Sequence, residues 1–250
     1  MFDFFTVFIF INCILLDYKK MTSCTVCNTT IENNFCPSCG QKYKAGKLTW
    51  MVIVEDAVNN FFSLDSKLWS SLKLAFANPK KLVDNYLSGF RDFYFSPGRL
   101  FLLATLVFGF NFIFEDKRFF VISFGNDLSA LMQLGVFGYV FSMLTIVSFI
   151  MFRKQKKSLV EHFAINLYSI STWLVVFALL AISYKLFNYF LLGGGLELLL
   201  LILFQQFWVA RVLTQGFWKQ LGTSLLSFLL FLVLALGLMY IVSGGDWQID

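Results

Sequence analysis

The chain has 250 residues and a formal net charge of +5; 58% of its residues are apolar, 19% aromatic and only 14% charged. A water-soluble domain of this length cannot cover so much apolar side chain, because about a quarter of the residues in such domains are charged. The composition therefore excludes an ordinary soluble protein and predicts an all-α integral membrane protein.

The chain opens with an apolar run over residues 1–16, which Lys19 and Lys20 follow. A signal peptide carries its cations before the apolar core and small residues after it, and this run has neither. It is also shorter than the roughly 20 residues that a membrane span needs. We expect residues 1–20 to be a mis-called extension ahead of a true start at Met21; a short interfacial or spanning helix is the alternative.

Two cysteine pairs follow in the sequence CTVCNTTIENNFCPSCGQ, with the spacing C-x2-C-x8-C-x2-C. Each pair can turn two thiolates toward one tetrahedral ion, and in a reducing compartment this pattern indicates metal binding instead of disulfides. Pro37 and Gly40 are typical turn residues of such a knuckle. We predict a zinc ribbon over residues 21–47, with a free or redox-active dithiol pair as the alternative. The predicted ligands of a structural Zn²⁺ are Cys24, Cys27, Cys36 and Cys39.

Residues 48–97 have apolar side chains at helical spacing, interrupted by charges that are too frequent for a buried span. We expect amphipathic juxtamembrane helices on the inner membrane face; a soluble helical hairpin is the alternative. Asn78 and Pro79 fit the N-cap and the first position of the last of these helices. Basic and aromatic residues then mix densely, which suits the lipid headgroup layer. The predicted membrane-interface residues are Lys80, Lys81, Tyr86, Arg91 and Arg99.

One family resemblance rests on a knuckle that ends in FCPSCGQ and on a set of later residues. The later residues are, in order, Pro79, Tyr86, Gly89, Arg91 and Pro97. Over residues 24–100 the chain resembles bacterial membrane proteins known as the domain of unknown function 3667 family, and the pair Glu161-His162 is also similar. The resemblance implies a zinc-ribbon head followed by several helices. It implies no activity, because none is assigned to that family.

Five apolar segments complete the chain, each close to the roughly 20 residues that a helix needs to cross a membrane. The predicted spans are residues 98–114, 128–152, 163–186, 190–212 and 221–242, within a transmembrane bundle over 98–243 and before an exterior tail over 244–250. Lysine and arginine concentrate before the first span and after the second and fourth. By the positive-inside rule, this pattern predicts a cytoplasmic head and an exterior C-terminus. The family resemblance implies that the membrane is the inner membrane of a bacterium.

Six polar residues in or beside the spans form a candidate polar path: Glu161, His162, Asn166, Glu197, Gln205 and Gln206. Ionisable groups in hydrocarbon usually face a partner or a cavity. For Glu161 and His162, a proton-handling or ligand pair stands against a polar helix start, which we prefer. We expect Glu197 to be an interfacial carboxylate. The deeper Gln205 and Gln206 are expected to hold helices together.

The sequence lacks a phosphate-binding loop, a nucleophile elbow and an acid-rich metal motif, which favours a protein that is not an enzyme. The leading interpretation is a scaffold or regulatory protein that contacts membrane lipids and whose zinc knuckle docks a cytoplasmic protein partner. The alternative is a small transporter or lipid-handling permease, which requires the polar residues to converge in one cavity. A third hypothesis is an enzyme acting on lipid headgroups through Glu161, His162 and Arg91. Nucleic-acid binding is disfavoured, because the lysines fall where membrane topology places them.

Overall fold

The computed structural model describes residues 22–24, 27–31, 34–44, 46–58, 67–92, 94–114, 130–187 and 196–242. The predicted extension over residues 1–20 and the predicted tail over 244–250 lie outside these ranges. In the described part the chain begins with two short antiparallel strands, β1 (Thr22–Ser23) and β2 (Thr30–Ile31), in which Thr22 is opposite Ile31. The rest of the described chain is mostly helical, as the composition predicts.

Three short helices follow the strands, and five longer helices complete the described chain. The short helices are α1 (Trp50–Val58), α2 (Lys67–Ala77) and α3 (Pro79–Leu87). The longer helices are α4 (Pro97–Phe114), α5 (Ala130–Met151), α6 (Leu159–Phe187), α7 (Leu196–Leu213) and α8 (Phe217–Val242). A turn of 3₁₀ helix (Arg153–Gln155) joins α5 to α6.

Helices α4 to α8 occupy the five segments predicted as spans. Among the described residues, two windows are long and apolar enough to cross a membrane by length and composition, Leu159–Val176 in α6 and Phe217–Leu238 in α8. Shorter apolar stretches lie in α4, α5 and α7. The two windows agree with a membrane protein, whereas a count of five spans stays a prediction.

The central helix of the described body is α6. It contacts α4, α5 and α7 as well as the short helices α2 and α3. Its apolar window is 61% buried, whereas that of α8 is only 17% buried. Tyr168 of α6 belongs to one large apolar cluster with Leu82 of α3 and Trp208 of α7. The short helices therefore pack on the same core as the long ones, and α8 lies at the edge.

The start of α3 follows the prediction from the sequence. Asn78 is the N-cap, its side-chain oxygen accepts a hydrogen bond from the Lys81 amide at 3.2 Å, and Pro79 occupies the first helical turn. The cap satisfies an amide that the helix itself cannot pair.

Helix α1 is apolar on two opposite sides. Ile53 and Ala57 are buried on the side that packs against α4, whereas Met51, Val54 and Val58 are more than half exposed on the other. An exposed apolar face next to an apolar helix suits the boundary between headgroups and acyl chains. The interfacial position of α1 stays a prediction.

Candidate metal centre and buried polar contacts

Four cysteine sulfurs meet in the small unit formed by residues 22–44, which we call the head. The Sγ atom of Cys27 lies 3.4 Å from that of Cys36 and 3.7 Å from that of Cys39, and the Sγ atoms of Cys24 and Cys39 are 3.6 Å apart. These four cysteines form no disulfide. A tetrahedral ion with bonds of about 2.3 Å would hold its sulfurs about 3.8 Å apart. The cluster therefore has the size and shape to hold one metal ion.

The two cysteine pairs are positioned by equivalent turns. The Asn28 amide donates to the Cys24 carbonyl and the Gly40 amide donates to the Cys36 carbonyl, both at 2.9 Å. The amide of the first cysteine in each pair donates to the carbonyl five residues later, in both cases at 2.8 Å. Asn28 and Gly40 have the same left-handed backbone, with φ of 58° and 67°. Glycine and asparagine tolerate this conformation best, which explains why they follow the two pairs.

The exposed and buried members of the cluster differ in environment. Cys24 and Cys36 are buried, whereas Cys27 and Cys39 are exposed. A hydrogen bond with the Thr29 hydroxyl, supported by the Thr29 backbone, lowers the pKa of Cys27 to about 6. The backbone of Gln41 lowers the pKa of Cys39, but desolvation and hydrogen bonds with the other three cysteines outweigh it and raise that pKa. Of the two exposed thiols, only Cys27 is therefore biased toward the thiolate, which is the form that binds metal.

The core of the head is completed by a residue that follows α3. Phe90 is only 1% exposed and packs in one apolar cluster with Cys24, Ile31 and Cys36. The ring of Tyr43 lies 5.3 Å from that of Phe90, centroid to centroid. The packed unit thus extends beyond the boundary at residue 47 that the sequence predicted for the ribbon.

A close backbone contact holds Phe90 in place. The Lys44 amide donates to the Gly89 carbonyl at 3.0 Å. Gly89 has a φ of +103°, and a Cβ atom there would lie 2.6 Å from the Lys44 carbonyl oxygen and 2.9 Å from the Tyr43 ring. Only glycine fits this position, because any side chain would meet both an unfavourable backbone conformation and a fixed backbone atom.

A buried carboxylate lies close to the backbone contact between Lys44 and Gly89. Asp56 of α1 is 6% exposed; its Oδ1 lies 3.3 Å from the Lys44 ammonium and its Oδ2 accepts from the Tyr86 hydroxyl at 3.2 Å. Lys44 also lies 3.4 Å from Asp92. Burial alone would lower the pKa of Lys44, but the two carboxylates outweigh it and raise that pKa.

Five of these residues connect the head to the helices, and we call them the junction: Lys44, Asp56, Tyr86, Gly89 and Phe90. The sequence analysis noted Gly89 only through the family resemblance, assigned Tyr86 to the membrane interface, and gave no role in the head to Phe90 or Asp56. An acidic residue in the apolar helix WMVIVEDAV was the available signal for Asp56.

The five residues predicted at the membrane interface divide into two groups. Lys80 and Lys81 are exposed on α3, and their interfacial role stays a prediction. Tyr86, Arg91 and Arg99 are instead buried within the protein, at 2%, 5% and 8% exposure. The structure differs here from the expectation that all five face lipid headgroups.

The two buried arginines contact protein groups. Nη2 of Arg91 donates to the Gly46 carbonyl at 3.1 Å, which adds a bond between the segment directly after the head and the segment after α3. The Arg99 guanidinium lies 4.3 Å from the centre of the Phe95 ring, a cation–π distance. Aromatic faces and carbonyl oxygens therefore surround these cations, because the segment folds back onto α1 and the head.

Helix α7 holds the end of α2 through contacts that the sequence did not indicate. Nε1 of Trp208 donates to the Ala75 carbonyl at 2.9 Å. The Arg211 guanidinium donates to the carbonyls of Phe76 and Ala77 at 3.0 and 3.2 Å. A cation at a helix C-terminus pairs carbonyls that lack partners inside the helix and complements the helix dipole.

The architecture described above is that of a mostly helical chain with a four-cysteine head. A family profile described as "Protein of unknown function (DUF3667)" matches residues 65–109. The match confirms the family resemblance and covers α2, α3, the first part of α4 and three of the five junction residues. No curated protein and no solved structure matches the chain.

Glu161, one of the six candidate polar-path residues, pairs with the start of its own helix. The Glu161 carboxylate accepts from the Ser158 amide at 2.7 Å, while the Ser158 hydroxyl accepts from the Glu161 amide at 3.2 Å. This reciprocal pair is a capping box, so the structure gives Glu161 the polar role at the helix start that we preferred. The side chain of Glu197 lies outside the described part of the chain.

The other four polar-path residues are buried on α6 and α7, and hydrogen bonds connect three of them with one another and with α5. Nδ2 of Asn166 donates to the His162 carbonyl at 2.8 Å, and Nε2 of Gln205 donates to Oδ1 of Asn166 at 2.6 Å. The Nδ1 atom of His162 lies 2.9 Å from the Ser148 hydroxyl. Gln206 follows Gln205 and is fully buried. We call these residues the polar cluster: Ser148, His162, Asn166, Gln205 and Gln206.

Proposed function

We propose that this protein is a multi-pass membrane scaffold whose head binds one structural zinc ion and docks a cytoplasmic protein. The observation that carries the proposal is the sulfur cluster, in which all four Sγ atoms lie within 4.8 Å of one another. Four-sulfur sites suit zinc or iron–sulfur clusters, and a spacing that fits one ion favours zinc. Four protein ligands leave no position open to a substrate, so the proposed ion is structural.

The small size of the head supports a structural role for the ion. Its two paired strands have two residues each. Folded units of fewer than about 40 residues usually need a metal, disulfides or a partner, because they bury too little apolar surface. A bound zinc ion would cross-link the two turns, and the junction would then hold the resulting rigid unit on the helices.

The proposed docking surface is the outer side of the head. Phe35 is 57% exposed and pairs with Lys42 in an antiparallel bridge. The Lys42 ammonium lies 6.0 Å from the centre of the Phe35 ring. Aromatic residues are enriched at protein interfaces, and an exposed ring on a rigid turn loses little conformational entropy when it is covered.

The proposed location is the bacterial inner membrane, with five spans and a cytoplasmic head. It is supported by the two candidate windows and by the lysines and arginines before the first predicted span. On this proposal Lys80 and Lys81 face the headgroups and the exposed side of α8 faces acyl chains. A reporter fused after residue 250 should be active only outside the cytoplasm; activity inside would require another topology.

The metal proposal is tested on the full chain in detergent. We expect about one zinc ion per chain, a loss of that zinc in Cys36→Ser, and normal zinc in Ser38→Ala, a matched change in the same turn. Iron in place of zinc, or wild-type protein without stoichiometric metal, would contradict the proposal.

The scaffold proposal needs a separate test. A protein that crosslinks to the wild-type chain in membranes should be lost in Phe35→Ala and retained in Trp69→Ala, which removes an exposed aromatic residue outside the head. Both variants should keep their zinc. If no crosslinked protein depends on Phe35, docking fails while the zinc site stands.

The transporter alternative required the polar residues to converge in one cavity. The structure brings His162, Asn166 and Gln205 together, but it uses Glu161 to cap α6. This partial convergence supports the scaffold more than the permease, and the polar cluster needs an explanation of its own.

A further inference from the structure

We propose that the polar cluster binds a small neutral molecule that both donates and accepts hydrogen bonds, such as water or a compact hydroxyl compound. The inference is independent of zinc and of docking. It begins with burial: none of the five side chains, which come from three helices, is more than 1% exposed. So many buried polar groups in one place are stable only if their hydrogen bonds are satisfied.

Several polar atoms of the cluster have no protein partner. Within the described residues, no hydrogen bond reaches Nε2 of His162, Oε1 of Gln205 or either polar atom of the Gln206 amide. An apolar protein interior supplies no hydrogen bonds, so unpaired groups that are buried this completely are strongly unfavourable. A bound guest would satisfy them.

The hydrogen-bond network fixes which atom of each amide faces the guest. Nδ2 of Asn166 must donate, because it meets the His162 carbonyl, so Oδ1 of Asn166 faces Gln205. Gln205 must then offer its NH₂ group to Asn166, which leaves its carbonyl oxygen as an unpaired acceptor.

Histidine supplies the complementary donor. When the Ser148 hydroxyl donates to Nδ1 of His162, the neutral ring carries its hydrogen on Nε2. The cluster then presents an unpaired N–H from α6 and an unpaired carbonyl from α7. One hydroxyl group can accept from the first and donate to the second, so its chemistry matches both.

The guest is neutral, because the nearest charged side chains on α6 and α7 themselves are engaged elsewhere. Glu161 caps α6, and Arg211 donates to the end of α2. No described acidic or basic side chain other than His162 belongs to the cluster, and an unpaired ion in a buried apolar setting is very costly. Complete burial also requires a small guest.

Gln206 extends the site toward a second pair of helices. Ile202, one turn away on α7, packs with Val147 of α5 and Phe231 of α8. Gln206 shares that face, because residues four apart lie on one side of a helix. Its amide would thus offer a further donor and acceptor beside the first position.

The decisive variant is Gln206→Met, which keeps the side-chain length and removes both polar atoms. If a guest is bound, the variant loses hydrogen bonds and the Tm of the full chain in detergent falls. If the amide is simply unpaired, its removal is favourable and the Tm rises. Ile202→Met is the matched control, because it changes an apolar side chain on the same face, and its Tm should change less than that of Gln206→Met.

Radiolytic hydroxyl labelling gives a second readout, because ordered water makes nearby rings reactive. The Phe149 ring lies 5.7 Å from the His162 ring and is half-buried, whereas Phe231 is buried in the neighbouring apolar cluster. The readout is therefore the change in each ring between the two proteins: labelling of Phe149 should fall in Gln206→Met, and labelling of Phe231 should stay unchanged. A higher Tm in Gln206→Met, or unchanged labelling of Phe149 in that variant, would overturn the proposal.

Glycerol, used as a hydroxyl probe, separates the two sources of this chemistry. A saturable rise in Tm that occurs in the wild type and not in Gln206→Met assigns the site to a small solute. An equal rise in both proteins, together with the labelling difference, assigns it to water.

Discussion

The Lys44 amide donates a hydrogen bond to the Gly89 carbonyl at 3.0 Å, and this contact joins the end of the head to the turn after α3. It places the glycine backbone where a side chain would not fit and brings the next residue, Phe90, into the head. The head and the helices therefore depend on each other for stability, and a change in one should be measurable in the other.

Gly89→Ala should destabilise the protein by at least about 1 kcal/mol. The alanine would be strained in a backbone conformation with positive φ, and its Cβ atom would clash with the fixed Lys44 carbonyl. The free energy of unfolding of the detergent-solubilised chain is the measurement. Gly222→Ala is the control, since a Cβ atom there has open space on α8. That control should be neutral or slightly stabilising, and an equal loss in both variants would contradict the assigned role of Gly89.

Phe90→Ala should weaken metal retention although residue 90 is not a ligand. Truncating a buried phenylalanine typically costs about 3–5 kcal/mol, and here the lost contacts include two cysteines. The rate of metal release to a chromophoric chelator should rise. Phe76→Ala, at a 41% exposed position on α2, should release metal at the wild-type rate. Unchanged release in Phe90→Ala would mean that the head is independent of the helices.

The junction should weaken above pH 10. Burial and the neighbouring Asp56 raise the pKa of Tyr86 above its ordinary value of 10.0, and the pKa of Lys44 is also raised. A raised folded-state pKa adds stability that is complete below the unfolded-state pKa and is lost as the pH rises past it. The Tm measured between pH 8 and 11 should therefore fall at the alkaline end. In Tyr86→Phe the alkaline fall in Tm should be smaller, because the contribution of the tyrosine is removed. An identical pH profile of Tm in the wild type and the variant would exclude that contribution.

Trp208→Phe should destabilise the attachment of α2 by about 1–3 kcal/mol, because the buried Ala75 carbonyl would lose its donor. Chemical unfolding in detergent can measure the change. Trp218→Phe makes the same substitution at an 80% exposed position and should stay within about 0.5 kcal/mol of the wild type. A large loss of stability in Trp218→Phe with none in Trp208→Phe would contradict the role assigned to the hydrogen bond between Trp208 and Ala75.

Local signals explain which features were predictable from the sequence. The spacing of the cysteines indicated their cluster, and Asn78-Pro79 indicated a helix start, because both depend on neighbours along the chain. Phe90 and Trp208 act through contacts with distant residues. Where a segment is apolar on every side, the sequence does not indicate which side faces the protein. The residues that Phe90 and Trp208 contact could therefore not be identified from the sequence.

The burial of Tyr86, Arg91 and Arg99 was missed for a related reason. Basic and aromatic residues at this density suit lipid headgroups, but they equally suit cation–π and carbonyl contacts within a protein. Composition cannot separate the two, whereas the fold of the segment onto α1 and the head does. The family profile over residues 65–109 includes all three residues.

The position of Phe90 in the head also sets an order for biosynthesis. All four cysteines emerge from the ribosome before Phe90, so they can capture a metal ion while the core around it is still incomplete. The head gains its full packing only after α3 has been translated, just before α4 begins. On the proposed function, metal capture would therefore come first, closure of the head second and membrane insertion of α4 third. A delay in metal supply would then leave an open head on a chain that is already entering the bilayer.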